Sequence, residues 1–542
     1  MTMPLVSPRT ATMLLLLGIL SALFTLGCHV AWRNEPFDVS KAGAVGADQF
    51  GYCMRAFDAC GWWNLHLAPS YLFVQGDENW SLPYVHHPFL PYSLTYASWA
   101  LLGRTEAALR WPALAAFIVT CLAVAVLGHR CAGRAGAGLA LAFFAVQPVV
   151  IQYGNMVDLF PLSMASMLIA AIAWLRASGR ASPSGCTDAA HRAPPRLGAY
   201  AICAFLCGLL GWYGYMLVPA LWLDILFFAP RPLRKWRTVL AIGLPFGIAA
   251  LLHIVWMVWV LGGVEHALDE TNWLLSTFSG GSDHDLYAKT FEASSLVTLG
   301  RFFVDGSGWS VLALATLGLL LGLARQSRAA IQQFVRIPLL ITVAGLLPSF
   351  AFWTRASTHE FFVLFAAPGL ALLAAGGVLY AANTVAQGSV AWPRMMRVGM
   401  LAAIFVAMLA GLATLASAGV RLHDGLRQDS QQDLDKCLSS VCEDGDVILL
   451  ATMYRPGQRL YVRHTVIPGA ASERVFRWAL RELRTGQHAV RRILLVTDGT
   501  CLQYLGWLES DLTLLKRDTF RRLSCGAKDL IMVELDRAAC LR

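Results

Sequence analysis

The segments Asp48-Gln49-Phe50-Gly51-Tyr52 and His86-His87-Pro88-Phe89 lie in one polar loop, at about residues 32–103, that follows the first hydrophobic segment of the chain. The polar loop is rich in aromatic residues, with a carboxylate near its start and a His-His-Pro near its end. Most of the sequence around it is hydrophobic enough to form membrane helices. A connector between two helices needs none of these features. The polar loop therefore indicates an active site at a membrane surface and favours an enzyme over a transporter or a scaffold.

The composition excludes an ordinary soluble protein. The 542 residues are 57% hydrophobic and 14% charged, and the mean hydropathy is +0.55, whereas soluble domains carry roughly 25% charged residues. Apolar runs near the length that crosses about 30 Å of hydrocarbon recur along the chain. We expect an α-helical polytopic membrane protein with about eleven spans, at 12–31, 111–128, 135–153, 159–176, 198–213, 215–229, 238–260, 308–323, 337–353, 361–382 and 398–418.

Two apolar segments need separate interpretation. The first run, 13–31, is longer than a signal-peptide core and lacks a clear cleavage site, so it is predicted to be a retained anchor. The segment 88–103 is short for a crossing and contains two prolines, two tyrosines and a tryptophan. It suits a helix that lies in the membrane interface.

The charge distribution orients the predicted spans. The net charge is +9, and the basic residues cluster in alternate short loops, as the positive-inside rule predicts for cytoplasmic loops. This arrangement disfavours nucleic-acid binding. It places the N-terminus inside, and the polar loop and the long loop 262–308 on the outer side. The residues predicted to face the cytoplasm are Arg130, Arg134, Arg176, Arg180, Arg192, Arg196, Arg231, Arg234, Lys235, Arg237, Arg325, Arg328, Arg336, Arg394 and Arg397.

The composition changes after residue 418. Residues 420–542 hold 19 Lys and Arg and 16 Asp and Glu, which is typical of a soluble domain, and an odd number of spans places it outside. Short β-branched runs predict strands at 447–451, 460–467, 493–497 and 530–535, and helical periodicity predicts an amphipathic helix at 472–485. We therefore predict a membrane domain, 1–418, with an outer loop at 32–110, and a small extracytoplasmic α/β domain, 419–542.

The cysteines of the first outer loop and of the C-terminal domain fit an oxidising compartment. Disulfides or free core thiols are the two interpretations, and the pairing cannot be deduced from sequence. A metal site is the weaker alternative, because the Cys437 and Cys442 pair lacks a second closely spaced pair of ligands. The residues concerned are Cys53, Cys60, Cys437, Cys442, Cys501, Cys525 and Cys540.

Several motifs occur in a recognisable order along the first 180 residues. An anchor is followed by the acidic motif at Asp48, by His87-Pro88, by Gly103-Arg104-Thr105-Glu106-Ala107-Ala108-Leu109-Arg110-Trp111-Pro112, and by Gln147-Pro148-Val149-Val150-Ile151-Gln152-Tyr153, which leads to Asp158. This order resembles the GT-C membrane glycosyltransferases of the family 39 type, which include protein O-mannosyltransferases and lipid A aminoarabinose transferases. The remaining spans are similar only loosely, and the resemblance does not cover the C-terminal domain.

The resemblance implies a GT-C fold and an activity. Members of this family take a sugar from a polyprenyl-phosphate donor and pass it, with inversion, to a hydroxyl on the outer side of the membrane. For this chain we expect the outer (periplasmic) side of the inner (cytoplasmic) membrane. The acceptor would be a lipid, a glycan or a protein, and membrane lipid would surround the site. The sequence leaves the sugar and the acceptor open.

The resemblance also implies residue roles. Asp48 corresponds to the catalytic carboxylate, but Gln49 replaces the acidic residue that usually follows it, which puts in doubt a metal bridging two acids. A divalent cation thus stays open. Asp158 matches an outer acidic residue and would support Asp48; a helix-start carboxylate is the alternative. His86, His87, Arg355 and His359 are candidates for binding the donor phosphate.

Three further residues have competing interpretations. Tyr52 is a candidate for stacking on sugar or for packing within the loop, and Arg110 for binding phosphate or for anchoring the chain at the interface. Asp224, within a predicted span, is expected to pair with Arg231 or Arg234. An ionisable residue inside a membrane otherwise indicates a functional site.

Two other classes of function compete with the enzyme. A transporter or lipid flippase predicts charged residues buried at mid-span and paired half-helices, whereas these spans are nearly free of interior charge. The second alternative is a non-catalytic envelope assembly factor whose outer domain binds a partner. It stays open because Gln49 stands where the family usually has a second acidic residue.

Overall fold

The computed structural model describes most of the predicted membrane part and the core of the C-terminal part. The described residues are 7–32, 50–74, 80–178, 197–228, 236–279, 293–324, 335–352, 356–357, 360–387, 438, 440–451, 465–468, 473–485, 490–498, 521–525 and 528–541. The chain divides into two compact units. The membrane unit comprises Met1–Arg33 and Pro112–Gly419, and the composite unit comprises Asn34–Trp111 and Val420–Arg542.

Helices account for the described part of the membrane unit. In chain order, and with those of the polar loop included, the helices before the C-terminal domain are α1 Pro8–Trp32, α2 Tyr52–Cys60, α3 Leu90–Leu102, α4 Glu106–Ala145, α5 Pro148–Tyr153, α6 Leu159–Ala177, α7 Gly198–Leu210, α8 Leu217–Phe228, α9 Trp236–Leu261, α10 Val264–Ser279, α11 Ala293–Ser307, α12 Trp309–Ala324, α13 Arg336–Ala351 and α14 Ala367–Gln387. Two 3₁₀ helices, Trp212–Met216 and Glu360–Phe365, precede α8 and α14.

The helices confirm a multi-pass membrane protein. Four of the described helices are long and apolar enough to cross a membrane, and the pair α11–α12, bent by 99°, would make up to five. Shorter apolar helices form the other described spans. Every predicted span except 398–418, which lies outside the described residues, coincides with a described helix. The interfacial segment forms α3, whose 13 residues are too few to cross the hydrocarbon core.

Helix α4 contains two predicted spans in one element. Its backbone leaves the helical conformation at Ala132 and at Gly133, where φ is +64°, a left-handed value that glycine adopts without strain. The two halves then pack closely: a Cβ on Gly136 would lie 2.4 Å from the carbonyl oxygen of Gly128. Small residues allow such close approach of membrane helices. The second span is also shorter than predicted, because α4 ends at Ala145 and α5 begins as a separate helix at Pro148.

A buried ion pair joins α8 to α13. Arg336 donates from Nε to one oxygen of Asp224 at 2.5 Å and from Nη2 to the other at 2.6 Å. The expectation that Asp224 pairs with Arg231 or Arg234 is therefore wrong. Both charged side chains are almost fully removed from solvent, with 8% and 2% of their surfaces exposed. A parallel, two-point contact is the geometry that compensates best for burying both charges.

In the composite unit, the polar loop folds around a β-hairpin. Strands β1 Ser70–Val74 and β2 Trp80–Pro83 pair antiparallel, with Phe73 opposite Ser81 and Val74 opposite Trp80. Helix α2 packs on β1 through a small cluster of Tyr52, Ala56 and Phe73. The hydroxyls of Ser70 and Ser81 lie 2.7 Å apart and join the two strands.

The C-terminal part of the composite unit is an α/β layer, as predicted. It contains β3 Asp446–Ala451, β4 Thr465–Pro468, α15 Glu473–Thr485, β5 Arg492–Asp498, β6 Arg521–Cys525, β7 Lys528–Leu535 and α16 Arg537–Cys540. The strand order is β4-β3-β5-β7-β6. The first three strands in this order are parallel, and β7 runs antiparallel to both of its neighbours, β5 and β6.

Both faces of this sheet are covered. On one face, Val447 and Ile493 pack with Phe476 and Leu483 of α15 in a cluster that we call the tail core. On the other face, Ile448 and Leu494 pack with Leu438 and Cys442. The same strand therefore sends alternate residues into two apolar layers. At the start of β3, the carboxylate of Asp446 accepts hydrogen bonds from the Arg492 guanidinium of β5, which raises the pKa of Arg492.

Cys60 and Cys442 are free thiols in the part of the chain that the structure describes. Cys60 lies with Cys53 on α2, and Cys442, like Cys540, is buried in the C-terminal sheet layers. The structure therefore supports the free-thiol alternative for Cys60 and Cys442, and the state of Cys53 and Cys540 stays a prediction. Cys437 and Cys501 lie outside the described residues, as does the side chain of Cys525.

The Cys60 and Cys442 thiols are expected to be alkylated in the unfolded protein without any reductant, and mass spectrometry of the peptides checks this. In the native state Cys60 should react slowly, because burial raises its pKa to about 11. Since the thiolate is the reactive form, its labelling rate should rise about tenfold per pH unit between about pH 7 and 9. Peptides that become alkylated only after reduction would contradict the assignment.

Candidate active site

A break after α4 creates the irregular segment that carries Asp158. Pro148 has no N–H to donate and restricts the residue before it to extended backbone, and Gln147 has φ −68° and ψ 130°. The Gln147 side chain is fully buried and donates to the carbonyl oxygens of Phe143 at 3.2 Å and Ala367 at 2.9 Å. It therefore holds the break that follows α4 against the start of α14.

The end of α1 holds the next part of this segment. His29 is fully buried, and its Nε2 donates to the carbonyl oxygen of Ile151 at 2.9 Å. Its ring also lies edge-on to Phe117, with centroids 4.6 Å apart. The side chain of Asn155 donates back to the His29 carbonyl at 3.4 Å. The sequence analysis missed His29, whose only sequence signal is an imidazole at the end of an otherwise apolar helix.

Asp158 lies at the N-terminus of α6. Its backbone is extended, and its Oδ1 accepts a hydrogen bond from the Leu159 N–H at 2.5 Å. The positive end of a helix dipole favours a carboxylate at this position. Only 6% of Asp158 is exposed. The structure thus gives Asp158 a capping role, and its contribution to catalysis stays a prediction.

The neighbours of Asp158 and of His359 meet in an aromatic cluster. Phe160 and Phe361 each follow one of these residues by two positions, and their ring centroids lie 4.6 Å apart. Tyr153 packs on Phe361 at 5.9 Å, and its hydroxyl donates to Oε1 of Glu360. Arg355 and His359 themselves lie outside the described residues. The segment that includes Asp158 is nevertheless tied directly to the segment that follows His359.

Replacing Tyr153 by phenylalanine should destabilise the protein by roughly 1–3 kcal/mol, because the partly buried Glu360 carboxylate would lose the hydrogen bond that the Tyr153 hydroxyl donates. The Gln152 amide, which donates to the same hydroxyl at 3.1 Å, would lose its acceptor too. Thermal unfolding in detergent measures the change. Glu360→Gln is the matched control: it keeps an acceptor oxygen for Tyr153 and should cost less. Equal effects of the two substitutions would contradict a hydroxyl-specific contact.

In the composite unit, the residues that follow Asp48 are fixed by packing. Phe50 stacks on Tyr92 of α3, with centroids 4.4 Å apart and ring planes at 11°. Tyr52 is fully buried, and its hydroxyl accepts the Phe73 N–H of β1 at 2.9 Å. This contact gives Tyr52 a structural role, and stacking on sugar stays a prediction. Asp48 itself lies outside the described residues.

His86 and His87 share one aromatic neighbour. The ring of Tyr84 lies 4.8 Å from the His86 ring and 5.7 Å from the His87 ring, centroid to centroid. The Tyr84 N–H donates to the carbonyl oxygen of Pro69 at 2.6 Å, just before β1. His86 is buried and His87 is half-buried. The hairpin and α3 therefore hold both imidazoles between them.

Asp58 and Arg110 hold the interfacial helix and the start of α4. Asp58 accepts from the Trp99 indole at 2.9 Å and from Arg104 at 3.1 Å, so it ties α2 to α3. Arg110 is buried, and its Nη1 lies 4.0 Å from Glu106, one helical turn earlier. Its contact with phosphate stays a prediction.

The predicted site residues thus fall into separate sets. His86 and His87 lie together in the composite unit with Tyr52 and Arg110 elsewhere in it, and Asp158 lies in the membrane unit. Within the residues that the structure describes, no three His, Cys, Asp or Glu side chains form a group that could hold a metal ion.

Solved structures of similar fold extend over nearly the whole chain. ArnT from Cupriavidus metallidurans bound to undecaprenyl phosphate matches with a TM-score of 0.58 and 15% identity, covering 96% of this chain and 97% of that chain. The oligosaccharyltransferase AglB from Archaeoglobus fulgidus, in complex with an inhibitory peptide and a dolichol-phosphate, matches with a TM-score of 0.53 and 14% identity, covering 89% and 69%. Neither a protein-family model nor a curated protein sequence matches.

The match to the ArnT structure extends beyond the helical part of the chain. A match to 96% of this chain includes most of the C-terminal α/β layer, which the sequence resemblance left uncovered. Both solved structures are GT-C membrane glycosyltransferases. The polytopic helical part therefore has the GT-C fold, and the similarity to the ArnT structure extends over most of the C-terminal sheet.

Proposed function

We propose that this chain is an inverting glycosyltransferase that moves a sugar from a polyprenyl-phosphate donor to a hydroxyl group on the outer face of the inner membrane. The match to ArnT along almost the whole of both chains is the observation that carries the proposal. That structure holds undecaprenyl phosphate, and the AglB structure holds a dolichol-phosphate. Both ligands are polyprenyl phosphates, which is the leaving group of the proposed reaction.

The proposed chemistry needs a base. Asp48 takes the proton of the acceptor hydroxyl, and the hydroxyl oxygen forms a bond to the anomeric carbon of the sugar. The bond between that carbon and the phosphate oxygen breaks on the opposite side, so the configuration inverts and polyprenyl phosphate leaves. General-base catalysis of this kind contributes about 10²- to 10⁴-fold to the rate. Asp158 supports Asp48 by adding negative charge near the developing positive charge of the sugar.

The leaving group needs positive charge and hydrogen-bond donors. His86, His87, Arg355 and His359 are proposed to bind the phosphate, because such donors stabilise negative charge that grows in the transition state. The short helix α3 follows the two histidines directly. A helix of this kind suits the interface, which is where the phosphate of a membrane-bound polyprenyl chain would lie.

The test uses the purified full-length protein in lipid nanodiscs with a panel of lipid-linked sugars. We expect release of polyprenyl phosphate from at least one donor in the presence of membrane extract as acceptor. Parallel reactions with Mn²⁺ and with EDTA show whether a cation is needed. The mass of the modified acceptor then identifies the sugar and the acceptor class. A protein that is folded and inserted, yet releases no polyprenyl phosphate from any donor, would contradict the proposal.

A further inference from the structure

The hairpin of the polar loop lies against the C-terminal sheet. Strand β1 contacts β4, which forms one edge of the five-stranded sheet. The two strands come from parts of the chain that are far apart in sequence, and both belong to the composite unit. An exposed sheet edge offers unpaired backbone groups, and proteins commonly cover such edges. The hairpin therefore lies where the edge strand needs cover.

A hydrophobic side chain fixes this contact. Leu82 of β2 packs, partly buried, against the tail core, which includes Ile467 of β4 and Leu535 of β7. The other described residues of the tail core all come from the C-terminal part of the chain. Leu82 is thus the polar loop's own contribution to the apolar layer of the C-terminal domain. We call this contact the Leu82 seat.

The Leu82 seat is connected to the imidazoles by a short, rigid path. Tyr84 follows Leu82 by two residues, and its N–H is bonded to the Pro69 carbonyl at the start of the hairpin. The Ser70 and Ser81 hydroxyls cross-link the same end of the hairpin. The Tyr84 ring then contacts both His86 and His87. Displacement of Leu82 would therefore shift the aromatic ring against which both imidazoles rest.

We propose that the C-terminal domain positions the phosphate-binding histidines of the transferase site through the Leu82 seat. This inference rests on the proposed function for the role of His86 and His87. Leu82 is a positioning residue, since it acts through Tyr84 and touches no substrate. The domain that carries no candidate catalytic residue would thus determine the geometry of a site in the polar loop.

The test compares the wild-type protein with four variants, all full-length and in nanodiscs. Leu82→Asp places a charge against the tail core and should disrupt the Leu82 seat. Leu82→Ala should weaken the seat and replaces the first variant in the test if that variant is poorly made. Leu82→Ile keeps an apolar side chain of the same size and should behave as wild type. Arg521→Asp is the matched control, because it adds a carboxylate at an exposed position of β6, on the opposite edge of the same sheet.

Two measurements are made on each protein. Hydrogen exchange of peptides that cover 80–92 reports whether the hairpin is seated, and kinetics with the lipid-linked donor report the site. We expect faster exchange and an about 10- to 100-fold lower kcat in Leu82→Asp, with a smaller change in KM for the donor, because a small misplacement of catalytic groups slows the chemical step most. Exchange in α9 peptides should stay unchanged in every variant.

The outcomes separate the inference from the proposed function. Faster exchange with normal turnover would show a seat that does not position the site, and unchanged exchange would show that no seat exists. Either result overturns the inference. A wild-type protein that transfers no sugar would instead overturn the proposed function, and with it the role of the histidines, while the exchange data would still decide the seat.

Discussion

Replacing Asp48 by asparagine is expected to lower the rate of sugar transfer by about 10²- to 10⁴-fold, the usual contribution of a general base. Asparagine keeps the size and hydrogen-bonding of the side chain but cannot accept the acceptor's proton. Because Gln49 is already an amide, no neighbouring carboxylate at that position can take over the role. Donor binding should change little, so the loss should appear in kcat rather than in KM.

Cells provide the second measurement of the same substitution. Envelope glycans are compared by mass spectrometry between cells with the wild-type protein, with Asp48→Asn and with the gene deleted. One sugar-sized mass should disappear in both altered strains while the substituted protein is still made and inserted. Asp38→Asn, which removes another carboxylate of the same loop, is the control and should retain the sugar. A glycan lost on deletion but kept in Asp48→Asn would assign the base to another residue.

Replacing Asp224 by leucine should destabilise the protein by roughly 3–5 kcal/mol, because the Arg336 guanidinium would be left buried without its counter-charge. Both side chains are nearly inaccessible, so solvent screens the interaction little. The double variant Asp224→Leu with Arg336→Met removes both charges and should recover most of the loss. A double-mutant cycle on unfolding in detergent isolates the coupling energy between the two side chains.

An exposed pair serves as the control for this cycle. Arg481 and Glu482 form an ion pair in which 71% of the arginine side chain is exposed. Arg481→Met should therefore cost less than about 1 kcal/mol. If the double variant at positions 224 and 336 were as unstable as the single Asp224→Leu variant, the ion pair would not explain the effect.

Hydropathy and charge predicted most of the membrane unit because both act locally along the chain. A run of apolar residues long enough to cross the bilayer forms a helix there, since its backbone groups must bond within the segment. The break between the two halves of α4 was also predictable, because basic residues and Gly133 separate two apolar runs. The strands β3, β5 and β7 were found for a similar reason, as each is a short β-branched run.

The contacts between distant segments could not be predicted in this way. Arg336 was the partner of Asp224 instead of the nearer Arg231 or Arg234, because helix packing, not sequence distance, decides which charges meet. Strand β6 was missed because Arg521-Arg522-Leu523-Ser524-Cys525 lies at a sheet edge and carries no apolar pattern. The packing of the polar loop on the C-terminal sheet had no local sequence signal, because among the described residues it consists of Leu82 on the tail core and of contacts between β1 and β4, which are distant in sequence.

The two segments of the composite unit are synthesised at different times. Its first segment ends at Trp111 and its second begins at Val420, so about 300 residues must be made before the two can join. At about 5–20 residues per second, synthesis of these residues takes roughly 15–60 s. During this time Leu82 lacks its contact with the tail core. A ribosome that stalls within the last spans would leave the hairpin unseated for longer. Nascent chains should therefore be vulnerable to proteolysis at this hairpin until the C-terminal part has been made and folded.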